Sequence, residues 1–581
     1  MSGRARGGIA RFAIAVVAAG ALAGIGCHEK PKDEPAPSLA PETPVAAPDG
    51  LIAEATIATP DATWERLQRG VGGAAGILPS TLGGIVCAAS GIDAGLAAEI
   101  DGTSAAYVIV AEGAGGLPAW VVVMRLVDAR RTRALVEGET SRFDARTSGD
   151  FEVLTGKGEH AGARPSRVVA AISRAGASGG GWFVVARSEE DLARLAPYAT
   201  RTMASRAPSS LHEAIAIDVP GSAIAGPLRA KVAREWDETK KQMLANDRDL
   251  RAQHGGRAPD FGDPGAILAM VDGSMQTRLA VLSDLKSVHL GIDAGEDDLR
   301  AVVTATPATP SGAASHAIAG IHSGDVAPLR AVTRDAGFAL LVRDGADTRA
   351  KDAADLEAAI DAALGPRLAP TDAKRVHSAI DDWTAARGDA WTLALAWGGV
   401  DHGLVVDAQA GDPARASRAV HEAVDAIAHV PAFREPLAMW LGARDVVLGT
   451  GDVPGDGRAS TAALAPMPSH APAPTPAYSL AWRSGTDDVK VALAESPLAL
   501  LSPSLPGRTL GDDPAIRALI DALGEVAGAL VLQPSRAPAC DREPGGVALA
   551  WGRRDVNGAA SMWGEAIASD AALRCLAKAS F

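Results

Sequence analysis

The sequence predicts an α+β fold built from duplicated hairpin-plus-helix units, forming mostly antiparallel sheets covered by helices. Three observations carry that prediction. From Leu51 onward the chain repeats strand, turn, strand, helix, its apolar positions switching between a period of two and a period near 3.6. The segment Ala106–Gly138 has a counterpart in Ala390–Val424, each a hairpin running into a helix that starts at Asp128 or at Asp412-Pro413. Asp at the N-cap accepts hydrogen bonds from otherwise orphaned amides, and Pro suits the first helical position. Finally, Ala394-Leu395-Ala396-Trp397-Gly398 returns as Ala548-Leu549-Ala550-Trp551-Gly552, with Leu480-Ala481-Trp482 as a partial third copy. Residues two apart on a strand share a face, so Leu and Trp point one way and Ala the other. The expectation is that the Leu–Trp face fills a core while the Ala face lets a helix approach closely.

At the N-terminus, Arg4, Arg6 and Arg11 precede an apolar run, Phe12–Gly26, and Cys27 follows at once. A basic segment before ~15 apolar residues is a secretory signal, too short to span a bilayer at ~20 residues. Gly26-Cys27 resembles a bacterial lipobox, although Gly24 stands where Leu or Val is usual; ordinary cleavage after Ala21-Leu22-Ala23 is the alternative. The resemblance implies diacylation of the Cys27 thiol, which becomes the new N-terminus. His28, where Asp would retain a lipoprotein in the inner membrane, implies the outer membrane of a Gram-negative envelope. The expected organisation is a signal peptide over 1–26, a Pro-rich tether over 27–50, and α+β halves over 51–308 and 309–581. The formal charge of −14 disfavours phosphate backbones, so no nucleic-acid partner is expected.

Within the body, Ser188-Glu189-Glu190-Asp191 after the strand WFVVA has the form of a capping box. A long helix is expected from about Pro227 to Gln253, with Trp236, Met243 and Leu250 as a narrow buried stripe. Leu356, Ile360 and Leu364 share a helical face that Gly365-Pro366 terminates. Asp513-Pro514 opens a helix carrying Ile516, Leu519, Ile520 and Leu523. Ser287–Thr306 and Tyr478–Ser496 each alternate, turn at Gly-x-Asp-Asp (Gly295–Asp298, Gly485–Asp488) and alternate again. Pro466–Pro476 reads as a linker or surface loop. The pieces TPDATWERLQRGVGG, GWFVVARSEEDLARL and LGDDPAIRALIDALG resemble exported bacterial lipoproteins that carry a domain of unknown function. That resemblance, loose over most of 51–552, implies architecture and no activity.

Candidate chemistry is sparse. Gly176-Ala177-Ser178-Gly179-Gly180 matches a G-x-S-x-G elbow, but the elbow needs a helix after it and here a strand from Trp182 follows. His421, Asp425 and His429 line one helical face after Glu422, a near-miss of the zinc-protease pattern without its second His. The acidic turns lack the ligand ladder of a calcium loop. No Walker A loop, convincing dinucleotide fingerprint or Cys-x-x-Cys occurs, so neither enzyme chemistry nor a cofactor is expected. The expected function is a lipid-anchored, non-catalytic binding or scaffold module, partnered by the membrane through Cys27 and by an envelope ligand the sequence does not identify. Two alternatives stay open: a hydrolase whose residues converge only in space, and a carrier of an apolar ligand in a cavity of ~300 Å³ or more. Export exposes the remaining thiols to oxidation, and a Cys540–Cys575 bridge is predicted, with a Cys87 pairing as the alternative. Cys87 lies in the apolar run Leu82–Ala89, where it reads as a small buried hydrophobe.

Overall fold

The computed structural model describes residues 43–72, 78–90, 94–138, 141, 143–157, 168–173, 181–206, 213–253, 262–396, 403–435, 443–453, 458–466, 479–501, 508–534, 545–556 and 558–580. The signal segment, Cys27, most of the tether, Ser178, Trp397-Gly398, Pro468–Pro476 and Cys540 lie outside them. The chain divides into two units, residues 1–227 with 286–303 and residues 228–285 with 304–581. This differs from a single boundary after residue 308, because the segment 228–285 packs with the second unit.

The first unit runs β1 (Leu51–Ile57), α1 (Pro60–Val71), α2 (Leu82–Ser90), β2 (Ala106–Ala111), β3 (Ala119–Arg125), α3 (Ala129–Glu137), β4 (Phe143–Ser148), β5 (Phe151–Gly156), β6 (Val169–Ser173), β7 (Trp182–Ala186), α4 (Glu189–Pro197), β8 (Ile215–Pro220) and, later in the chain, β9 (Leu285–Ala294). Every pairing is antiparallel, in the order β9–β8–β1–β2–β3–β7–β6–β5–β4. One face packs Tyr107, Ile109, Val121, Val123 and Val184 against Leu192 and Leu195 of α4. The other packs Met124, Phe183 and Val185 against Trp64 of α1, Ile85, Val86 and Cys87 of α2, and Val136 of α3.

The second unit begins with α5 (Arg229–Gln253) and α6 (Pro264–Ser283) and resumes after β10 (Asp298–Pro307) with α7 (Ala313–Ala319) and α8 (Ala327–Arg330). Then come β11 (Ala336–Arg343), α9 (Ala346–Leu364), α10 (Pro370–Ala386), β12 (Arg387–Ala396), β13 (Gly403–Ala410), α11 (Pro413–His429), β14 (Ala443–Asp452), β15 (Arg458–Pro466), β16 (Ser479–Ser484) and β17 (Asp488–Ala494). The chain finishes with α12 (Pro497–Leu500), α13 (Pro514–Asp521), β18 (Gly528–Leu532), β19 (Val547–Val556), β20 (Ala559–Ser569) and α14 (Asp570–Ser580). Its antiparallel order is β20–β19–β18–β11–β12–β13–β17–β16–β15–β14. Raising each strand number of the first sheet by ten reproduces this order from β19 to β14. The fold is α+β, and one topology is used twice.

The similar sequence pieces relate to that duplication unequally. Ala106–Gly138 and Ala390–Val424 occupy matching places, β2–β3–α3 and β12–β13–α11. Their caps are the predicted ones: the Asp128 carboxylate accepts from the Arg130 and Arg131 amides, and Asp412 from the Arg415 amide at 2.9 Å. The two Gly-x-Asp-Asp hairpins do not match in place, since one joins β9 to β10 and the other β16 to β17. They are the same turn solution at different positions; at the second, the Gly485 amide donates to the Asp488 carbonyl at 2.8 Å. The Leu–Ala–Trp strands β12, β16 and β19 are likewise not equivalent.

Two expectations are overturned. The Leu–Trp face of β19 does not fill the core: Leu549 and Trp551 are 37% and 38% exposed, whereas Ala548 and Ala550 are buried. The Ala side admits α8 and α13, whose Leu329, Ile516, Leu519 and Ile520 form the core with Ala339, Leu341, Ala394 and Val531. Trp482 is the exception, fully buried beside Val424 of α11. The long helix α5 forms, but none of its residues is buried, and Met243 and Leu250 are about half exposed. Polar contacts anchor it instead, with the Trp236 indole and the Lys240 ammonium both donating to Asp272 of α6 at 2.7 Å.

Candidate functional site

In the second unit α9, α10 and α11 lie over the sheet face that carries Val406 and Val491. Their contact positions are unusually small. Ala353, Ala379, Ala419, Ala423 and Ala426 stand where longer side chains would close the gap, and the helices leave a cleft of about 590 Å³. Leu356, Ile360, Val376, Ile380, Trp383, Val420, Val424, Ile427 and Phe433 complete its walls, with Val406 and Val491 as part of its floor. From that floor a cross-strand row continues through Leu393, Leu340 and Leu530 to Leu549, one residue per strand from β17 to β19. At strand spacings near 4.8 Å the row is about 24 Å long.

Four polar residues interrupt the lining: Arg349, Asp352, Thr384 and Arg387. Arg387 grips Asp344 in a fork, Nη1 to Oδ1 at 3.0 Å and Nη2 to Oδ2 at 2.7 Å. Arg349 donates from Nη1 to the Asp344 carbonyl at 2.7 Å and to its carboxylate at 3.3 Å. The three side chains are only 13–14% exposed, and the buried Nε of Arg349 has no hydrogen-bond acceptor among the described residues. Chemically, the cleft can desolvate a hydrocarbon and present a guanidinium donor beside it.

The residues singled out from sequence do not converge here. His421, Asp425 and His429 all lie on α11, but they make no common centre. The His421 ring stacks at a tilt on Trp482, 5.8 Å between centroids, while Asp425 is held by Arg375 and by His429 Nδ1 at 2.8 Å. Among the described residues no three His, Cys, Asp or Glu side chains are grouped to hold a metal. Cys87 is a fully buried reduced thiol in α2, which removes it as the partner of a bridge. Cys575, on α14, is disulfide-bonded.

No protein family and no curated protein matches the chain. Among solved structures, crystal form I of TP0453 from Treponema aligns with 8% identity and a TM-score of 0.20, over 45% of this chain and 79% of that one. A likeness at that score carries no argument about fold or function. The fold and the cleft therefore describe the protein without help from relatives: a duplicated α+β chain whose second copy holds an apolar cleft.

Proposed function

We propose that this protein is a non-catalytic binding module of the cell envelope, held to the outer membrane by acyl chains on Cys27, and that the α9–α11 cleft takes an apolar ligand. The observation that carries the reading is the cleft itself: about 590 Å³ with an almost wholly apolar lining. Small-molecule sites fall at roughly 300–1,000 Å³ with a few fixed polar groups, which is this composition. Each methylene buried there gains ~0.8 kcal/mol, so a ten-carbon chain gains roughly 8 kcal/mol before the costs of association. The anchoring half of the reading rests on the basic start, the apolar run Phe12–Gly26 and Cys27.

The test is titration of the mature chain with N-phenylnaphthylamine, a neutral apolar probe that fluoresces on leaving water. Saturable binding at one site is expected. Ala423→Trp, at a solvent-exposed position of the cleft wall, should weaken it at least about tenfold without lowering the melting temperature. Absence of saturable binding, or binding indifferent to Ala423→Trp, sinks the ligand reading. For the anchor, fatty-acid labelling should mark the wild type, while Cys27→Ser should be unlabelled and released from membranes. Equal retention of the substituted protein would refute it.

A further inference from the structure

Resting on that reading, we infer that the ligand is an amphiphile with an anionic head group, a carboxylate or a phosphate, bound by the guanidinium of Arg349. The polar end of the cleft holds two guanidiniums, Arg349 and Arg387, and one carboxylate, Asp344, all largely shielded from solvent. Arg387 takes both oxygens of Asp344, and the carboxylate neutralises one positive charge of the two. The residual charge sits against an apolar wall, where an uncompensated ion is costly and an added anion relieves that cost. Asp352 also lines the cleft but is exposed, so its charge is screened by water and salt.

Geometry gives the charge its direction. Arg349 lines the cleft and engages Asp344 through Nη1; its Nε is closed off from the cleft, and Nη2, which bonds no acceptor among the described residues, is the donor left for a ligand. A guanidinium presents its N–H groups as a planar fork that matches two oxygens of a carboxylate or phosphate. An alcohol or ester head offers no such pair and no charge. A hydrocarbon tail on the apolar lining with an acidic head at Arg349 satisfies both ends of the cleft at once.

The experiment uses the mature full-length chain and displacement of the bound neutral probe by hexadecanoic acid, hexadecyl phosphate and hexadecanol. Either acid should displace it at a concentration about tenfold lower than the alcohol does. Arg349→Gln should erase that preference, so that within the variant the two acids displace the probe no better than the alcohol does, and Arg349→Lys, which keeps the charge without the fork, should restore part of it. The stronger of the two acids assigns the head group. If the alcohol competes as well as both acids, and Ala423→Trp still blocks all three, the head-group inference fails and the apolar-cleft reading stands. If the probe itself does not bind, that reading has failed instead.

Discussion

In the first unit, α1, α2 and α3 close onto their sheet. In the second, α9, α10 and α11 occupy the same places in the strand order and leave a cleft. The difference lies in side-chain size and polarity. α2, LGGIVCAAS, is apolar on every side and buries Leu82, Ile85, Val86 and Cys87, while α1 adds Trp64. α9 is longer and carries charge along much of its length, burying only Ala353 and Leu364. Two copies of one topology thus carry a packed apolar layer in one and a cleft in the other, and the helices contrast most in polarity, α2 apolar throughout and α9 charged along its length.

The largest expected effect breaks the packed copy. Ile85→Ala, at a position 2% exposed, should cost about 2–5 kcal/mol through lost burial and a cavity. Ile380→Ala on α10, which fills the same place as α2 but faces space already open, should cost about 1 kcal/mol. Urea unfolding of both variants measures the contrast, and equal losses would mean that the two layers are packed alike. Next comes oxidation. Cys575→Ser should lower the stability of the second unit by about 2–4 kcal/mol and leave the first, whose Cys87 is a buried thiol, unchanged. Non-reducing peptide mapping should join Cys575 to Cys540; a Cys27–Cys575 peptide would refute that pairing.

The smallest effect concerns His289 on β9. It bonds Asp218 at 2.8 Å, with Glu213 at 3.4 Å, and the Asp218 hydrogen bond leads in holding its pKa above the ordinary imidazole value, against burial. A raised pKa stabilises the folded form fully below the unfolded value, and that gain is lost as pH rises through the folded one. The first unit should therefore lose a solvent-screened fraction of about 1 kcal/mol on the alkaline side of the ordinary imidazole range. An NMR titration of His289 reads the shift, and His289→Gln should flatten the pH dependence. An unshifted titration would remove this contribution.

Local chemistry was the legible part of the sequence. Asp128 and Asp412 cap the helices they were expected to start, and Gly365 ends α9 with a φ of 41°, which a side chain would resist. Alternation showed which residues of β19 share a face and that the alanine face admits helices, but not that the Leu549–Trp551 face stays largely open. Whether the second face is covered depends on elements outside the strand, and α8 and α13 both pack on the alanine side. The cleft was illegible for the same reason. Arg349, Val406 and Ile427 meet only after three helices have been laid on the sheet, and an alanine that leaves space reads in sequence like one that allows contact.

The excursion through α5 and α6 has a consequence for taking the protein apart. The chain leaves the first unit after Pro227 and re-enters it at Lys286, yet Pro220 of β8 stands opposite Ser287 of β9. Residues 228–285 are therefore an insertion within the first unit, carried at the mouth of the β8–β9 hairpin. A cut after residue 308 would deprive the second unit of two helices and leave them stranded on the first. Joining Pro220 to Ser287 through a two-residue Asn-Gly turn would respect the register already present, at the cost of Ala223 and Ile224, which are buried. The natural parts of this molecule are nested rather than consecutive, and a gene cut into front and back halves would divide the second unit between them.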